Sequence, residues 1–149
     1  MTSVENALLG VDKLAFDTAP LIYFVERHPN YLGLMKDILE RVDRGEPCAF
    51  SSVITLVEVL TRPKQTGDTA IEDQYRDILL HGKNFTLLTI DAATAEAAAG
   101  LRARFGIRTP DALQIAAAIQ AGCEAFLTND SALERVSDIR ILLLSKLVL

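Results

Sequence analysis

Tryptophan is missing from the chain altogether, and aromatic residues of all kinds make up only 6% of it, so the core has to be filled by aliphatic and alanine side chains. Cysteine is nearly absent too. Cys48 and Cys123 lie far apart and form no C-x-x-C, which excludes a disulfide framework and fits reduced, buried thiols. The two histidines, in "ERHPN" and "LLHGKN", stand in polar surroundings that read as solvated helix ends, and no close His/Cys spacing provides a zinc site. Positive charge is not in excess either. A net charge of -5 gives no global attraction for nucleic acid, so any such binding needs local cations or a bound metal. No apolar run approaches the roughly 18 residues of a membrane span. The opening "MTSVENALLGVDK" carries acid where a signal peptide carries base, so the expectation is a cytoplasmic protein with no membrane association. Neither G-x-G-x-x-G nor G-x-x-x-x-G-K-[ST] occurs, which removes the fingerprints of nucleotide-cofactor folds.

What is present is an alternation. Short apolar runs at Leu14 to Phe16, Cys48 to Ser51, Phe85 to Ile90, Ala125 to Leu127 and Ile139 to Leu144 read as strands. Helical patterns fill the gaps, at about 19–27, 30–43, 53–61, 69–81, 92–105, 110–121 and 131–136. Thr69-x-x-Glu72 and Ser131-x-x-Glu134 have the form of capping boxes, Thr109 that of an N-cap before Pro110, and Pro63 and Gly106 mark stops. Such a chain forms an α/β fold with a mostly parallel central sheet of about five strands and helices on both faces. With no repeat, low-complexity tract or linker, residues 1–149 form one domain, large enough to bury about two thirds of the surface of the unfolded chain.

In sheets of this kind the site lies beyond the carboxyl ends of the strands, where strand order reverses. Asp17 ends the first strand in "KLAFDTAPLIYFVE". Asp91 ends the third in "LLTIDAAT", Asp130 follows the fourth in "AFLTND", Asp111 opens a helix in "RTPDALQIAAAIQAG", and Glu58 lies among apolar residues in "SSVITLVEVLTRP". Each also has a plain structural explanation. Asp17, Asp91 and Asp130 suit caps or turns, Asp111 complements a helix dipole, and Glu58 can pair with Arg62 at i+4. Taken together they are distant acids that the topology sends to one rim. Oxygen-only ligands suit hard cations, Mg²⁺ or Mn²⁺, and metal-assisted hydrolysis at a phosphate follows. In that chemistry four or five of these acids would supply the ligands. Thr18 and Thr128 are candidate hydrogen-bond partners of the ligands, and Arg62, Lys64, Arg102, Arg104 and Arg108 are candidate phosphate contacts.

The blocks "DTAPLIYFVE", "SSVITLVEVL" and "RTPDALQIAAAIQAGCEAFLTND" resemble the PIN-domain nucleases, in particular the VapC-type toxins of bacterial toxin–antitoxin pairs. The similarity runs from residue 14 over nearly all of the chain. Its four acids match Asp17, Glu58, Asp111 and Asp130; Asp91 matches none and is left as a cap. The resemblance implies a three-layer α/β/α fold, Mg²⁺- or Mn²⁺-dependent endoribonuclease activity on RNA, a cognate antitoxin and a homodimer. Tyr23, Leu32, Met35 and Leu39 would line the antitoxin's groove, because the apolar positions of residues 31–42 cover an arc of about 160°, wider than the roughly 100° of a single core contact. The run "ILLLSKLVL" is expected to pack as a last strand or against another subunit. Two alternatives remain at this point. One is a phosphoacceptor (receiver-like) signalling module using Asp17, Asp91, Thr128 and Lys146; the other is a PIN-domain RNA-processing nuclease without an antitoxin.

Overall fold

Leu14, Ala15 and Phe16 are each at most 2% exposed, and an unbroken apolar run of this kind belongs to a strand covered on both faces. The computed structural model describes all 149 residues. A short β1 (Thr2–Ser3) and α1 (Val4–Ala7) precede that central strand, β2 (Lys13–Phe16). There follow α2 (Thr18–Val25), α3 (Leu32–Asp43), β3 (Cys48–Ser52), α4 (Val53–Thr66), α5 (Thr69–Leu79), β4 (Phe85–Leu88), α6 (Ala92–Phe105) and α7 (Thr109–Gln120). The chain then forms β5 (Ala125–Thr128), a 3-10 turn (Ser131–Arg135), β6 (Arg140–Leu143), a second such turn (Leu144–Lys146) and β7 (Leu147–Val148).

The five long strands form one sheet in the order β4-β3-β2-β5-β6, and every neighbouring pair is parallel. Alternate residues feed opposite layers. Leu14 and Phe16 of β2, with Ala125 and Leu127 of β5, join a core made with α2, α3 and α5. Ala15 and Phe126 point the other way, into a core of small side chains from α6 and α7 that includes Ala98, Ala112 and Ala116. This is the expected three-layer α/β/α arrangement. β1 and β7 form a separate parallel pair, so part of the closing apolar run is a strand of a second, two-stranded sheet rather than of the main one.

Several boundaries differ from expectation for identifiable reasons. α4 does not stop before Pro63. Burial of Thr55, Val59 and Pro63 on one face holds it together across the hydrogen bond that Pro63 cannot donate, and Gly67, at φ 72°, ends it by donating to the Pro63 carbonyl. Neither capping box forms. Asp68 caps α5 by accepting from the Ile71 amide, and Asp130 caps the following 3-10 turn by accepting from Ala132, so each cap lies one residue before the Ser or Thr proposed for it. Likewise Thr109 is already helical and Arg108 occupies the N-cap position, leaving Asp111 in the first turn. The buried residues of α3, Leu34, Met35, Ile38 and Val42, form one stripe about 100° wide, and half-buried Leu32 and Leu39 extend the apolar arc beyond it. Met35 is fully buried in the core, so the groove expected across Tyr23, Leu32, Met35 and Leu39 does not exist as a surface with Met35 in it.

Candidate active site

From β2 the chain builds outward to β3 and β4, then returns to set β5 and β6 on the other side, so the strand order reverses between β2 and β5. Asp17 sits at the carboxyl end of β2 at this point, its amide donating to the Leu127 carbonyl at 2.9 Å. The side chain is held from three sides. Oδ1 accepts from the Thr18 amide at 2.7 Å and from Gln114 Nε2 at 3.2 Å, and Oδ2 accepts from the Thr128 hydroxyl at 2.7 Å. No cation touches it. Burial raises the Asp17 pKa above 3.8, the hydrogen bonds from Thr128 and the Thr18 amide oppose the rise, and repulsion from Asp111 and Glu58 adds to it.

The other acids approach from separate elements. Thr18 donates its hydroxyl to Glu58 Oε1 at 2.8 Å, and its oxygen lies 3.1 Å from that of Thr55. Contrary to the inference from its apolar neighbours, Glu58 is exposed: Val59 and Thr55 turn inward while Glu58 faces Thr18, and it forms no ion pair with Arg62. Asp111, on α7, is buried and accepts from Arg108 Nε at 3.2 Å. Asp130 is exposed and caps its turn, yet its amide donates to the Thr128 hydroxyl at 3.1 Å, and with Arg108 and Asp111 it lines a cavity of about 210 Å³. Arg108 feels all three of Asp111, Asp130 and Glu58, which hold it in the charged form.

Asp17 thus lies within electrostatic reach of Asp111 and Glu58, Arg108 within reach of Asp111, Asp130 and Glu58, and Thr18 and Thr128 bond Glu58 and Asp17 respectively. As they stand, no three acidic, His or Cys side chains are gathered closely enough to hold an ion among them. The donor chemistry nevertheless suits a hard cation: all the groups are oxygens, and Asp17 is half-buried beside like charge with no counter-ion of its own. Mg²⁺, which keeps several waters and needs few protein ligands, fits such an open set better than a caged ion.

Of the proposed phosphate contacts, Lys64 is paired with Glu72, Arg104 with Asp138, and Arg102 donates to the Ile107 carbonyl. Arg108 stays at the acids, and Arg62 shares a second cavity, about 360 Å³, with Glu58, Glu26 and Tyr75. The parts of a phosphoacceptor site are not gathered: Asp91 lies after the edge strand β4 and caps α6 through Thr94, and Lys146 pairs with Glu134. His28 is not simply solvated but packs against Tyr23 and Tyr31, with ring centroids 4.7 and 4.9 Å away. Gln114 is the residue that the sequence reading missed. A lone glutamine in an alanine-rich helix reads as its polar face; its signal was the i+3 spacing from Asp111, which puts the two on the same side of α7.

A family model for the PIN domain matches residues 14–139, and the chain belongs to that family, a family of nucleases. The class defined by fold and site is thus a hydrolase acting on nucleic acid. Among solved structures it resembles a toxin–antitoxin complex from Klebsiella pneumoniae, at 23% identity and a TM-score of 0.67, over 88% of this chain and 97% of that one. It also resembles VapBC2 from Rickettsia felis bound to a promoter DNA fragment, at 16% identity and a TM-score of 0.68, over 87% and 97% of the two chains. DNA-bound VapBC from Salmonella typhimurium is similar at 18% identity, 0.68, and 89% and 98% coverage. At these identities the likeness is one of fold. No curated protein matches the sequence significantly.

Proposed function

We propose that the protein is a Mg²⁺- or Mn²⁺-dependent endoribonuclease and the toxin of a type II toxin–antitoxin pair. The observation that carries the nuclease part is Asp17: a half-buried, triply hydrogen-bonded carboxylate without a counter-ion, placed at the switch point beside Glu58 and Asp111. Asp17 and Asp111 would hold the metal, with Glu58 and Asp130 completing the set. A bound divalent ion supplies Lewis acidity at the phosphodiester and cancels the repulsion that the bare acids would exert on it. Thr128 and Thr18 fix the directions of the Asp17 and Glu58 carboxylates, and Arg108 meets a phosphate oxygen entering the crevice. The toxin part is supported by the toxin–antitoxin complexes among the similar folds. It brings with it an antitoxin partner, a homodimer and a cytoplasmic setting.

Purified protein incubated with total RNA and Mg²⁺ or Mn²⁺ should yield a small set of new ends on sequencing, none of them with Asp17→Asn. Undiminished cleavage in excess EDTA would sink the metal-dependent assignment. Expression without a partner should slow growth, and pull-down from the native host should recover a stoichiometric small protein. Harmless unpaired expression with no such partner leaves the second reading, an RNA-processing nuclease.

A further inference from the structure

Gln114 is 3% exposed and makes four side-chain hydrogen bonds, each to a different element's residue around the acids. Its Oε1 accepts from the Ser52 hydroxyl at 2.6 Å and the Thr55 hydroxyl at 3.1 Å. Its Nε2 donates to Asp17 Oδ1 at 3.2 Å and to the Thr18 hydroxyl oxygen at 3.3 Å. The orientation of the amide is dictated by these partners. Asp17 accepts only, so it must face the NH₂, and the two hydroxyls then supply protons to the carbonyl. Thr18, receiving a proton from Gln114, is left to donate its own to Glu58.

We propose that Gln114 is a positioning residue that fixes the Asp17 and Glu58 carboxylates relative to each other, so that β2, α2, α4 and α7 present one preset pair of metal ligands. Hydrogen bonds run in a single direction, from Ser52 and Thr55 through the amide to Asp17, and through Thr18 to Glu58. A buried amide with both ends satisfied has one low-energy orientation, and the ligands inherit it. Gln114 has no contact with the metal or the RNA in this scheme. The role exists only in a metal-dependent nuclease, the function proposed above.

The test is Mn²⁺ affinity measured by calorimetry on wild-type protein, Gln114→Met and Gln114→Asn, with melting temperatures in EDTA alongside. Methionine keeps the length and loses all four bonds; asparagine keeps the amide but withdraws it by one methylene, so it cannot reach both sides. Both variants should bind Mn²⁺ about 10- to 100-fold more weakly than wild type, the loss found when outer partners of metal ligands are removed. Combining Gln114→Asn with Thr18→Val should cost less than the sum of the two single losses, because both act on Glu58 through one chain of bonds. Wild-type affinity in a folded Gln114→Asn protein, whatever its melting temperature, overturns the proposal and leaves Gln114 a structural residue. Should wild-type protein itself fail to bind Mn²⁺, it is the nuclease assignment that falls.

Discussion

At the residue scale, Asp17 is a carboxylate placed where the metal-free fold is better off without its charge. Its native pKa lies above 3.8, with burial the main cause. Between that ordinary value and the raised one, the folded chain keeps a proton that the unfolded chain has lost, so stability falls as pH rises through the window, and at neutral pH the ionised group is a standing cost. Asp17→Asn should therefore melt a few degrees higher than wild type in EDTA at pH 7, and the gap should narrow as pH is lowered toward 3.8. Thermal melts across that range check it. A variant that melts lower at pH 7 would mean that the bonds from Thr128 and the Thr18 amide outweigh the burial of charge, and that the site needs no cation to relieve it.

At the scale of elements, caps show how closely neighbouring residues compete. Asp68 accepts from the Ile71 amide at 3.1 Å while Thr69 is inside the helix, because Glu72, the residue that would close a capping box, is drawn to Lys64 and Arg76 instead. Asp68→Ala should cost about 1 kcal/mol, roughly 2–4 °C for a chain of this size, and Thr69→Ala much less. Equal losses would restore the Thr69 box. The same competition limits what could be read beforehand. The alternation of strands and helices was legible because five apolar runs have strand length and the patterns between them have helical period. The approach of Asp17, Glu58 and Asp111 to one another followed in part from topology, since Asp17 lies at a strand end and Asp111 at a helix start. Gln114 carried only its i+3 spacing from Asp111 as a signal, because its partners Ser52, Thr55, Asp17 and Thr18 come from segments far away in sequence. Nor were β1, α1 and β7, which are too short for a period to emerge. The burial of Met35 was hidden for a third reason: an apolar arc wide enough for a docking groove is equally wide enough to be covered by neighbouring elements.

At the scale of the whole molecule, 20 acidic residues face 15 basic ones, and Asp17 is repelled by both Asp111 and Glu58. A divalent ion should therefore act on global stability as well as on catalysis. Binding to the native state alone adds RT ln(1 + [L]/Kd), about 2.7 kcal/mol at a hundredfold excess over Kd, or roughly 5–10 °C in melting temperature. Mn²⁺ titrated against thermal melts should give a rise that saturates, and Asp17→Asn should lose most of it. A rise of equal size in the variant would place the ion elsewhere.

The reversal of strand order also sets a timetable for synthesis. Asp17 emerges early from the ribosome, but the strand that braces it, β5, begins only at Ala125, and the partner hydroxyl of Thr128 comes later still. Until then β2 has a free edge on that side, the Asp17 amide lacks its Leu127 carbonyl, and Asp130 has not been added. The surroundings of Asp17 are therefore complete only once the segment from Ala125 to Asp130 has joined β2.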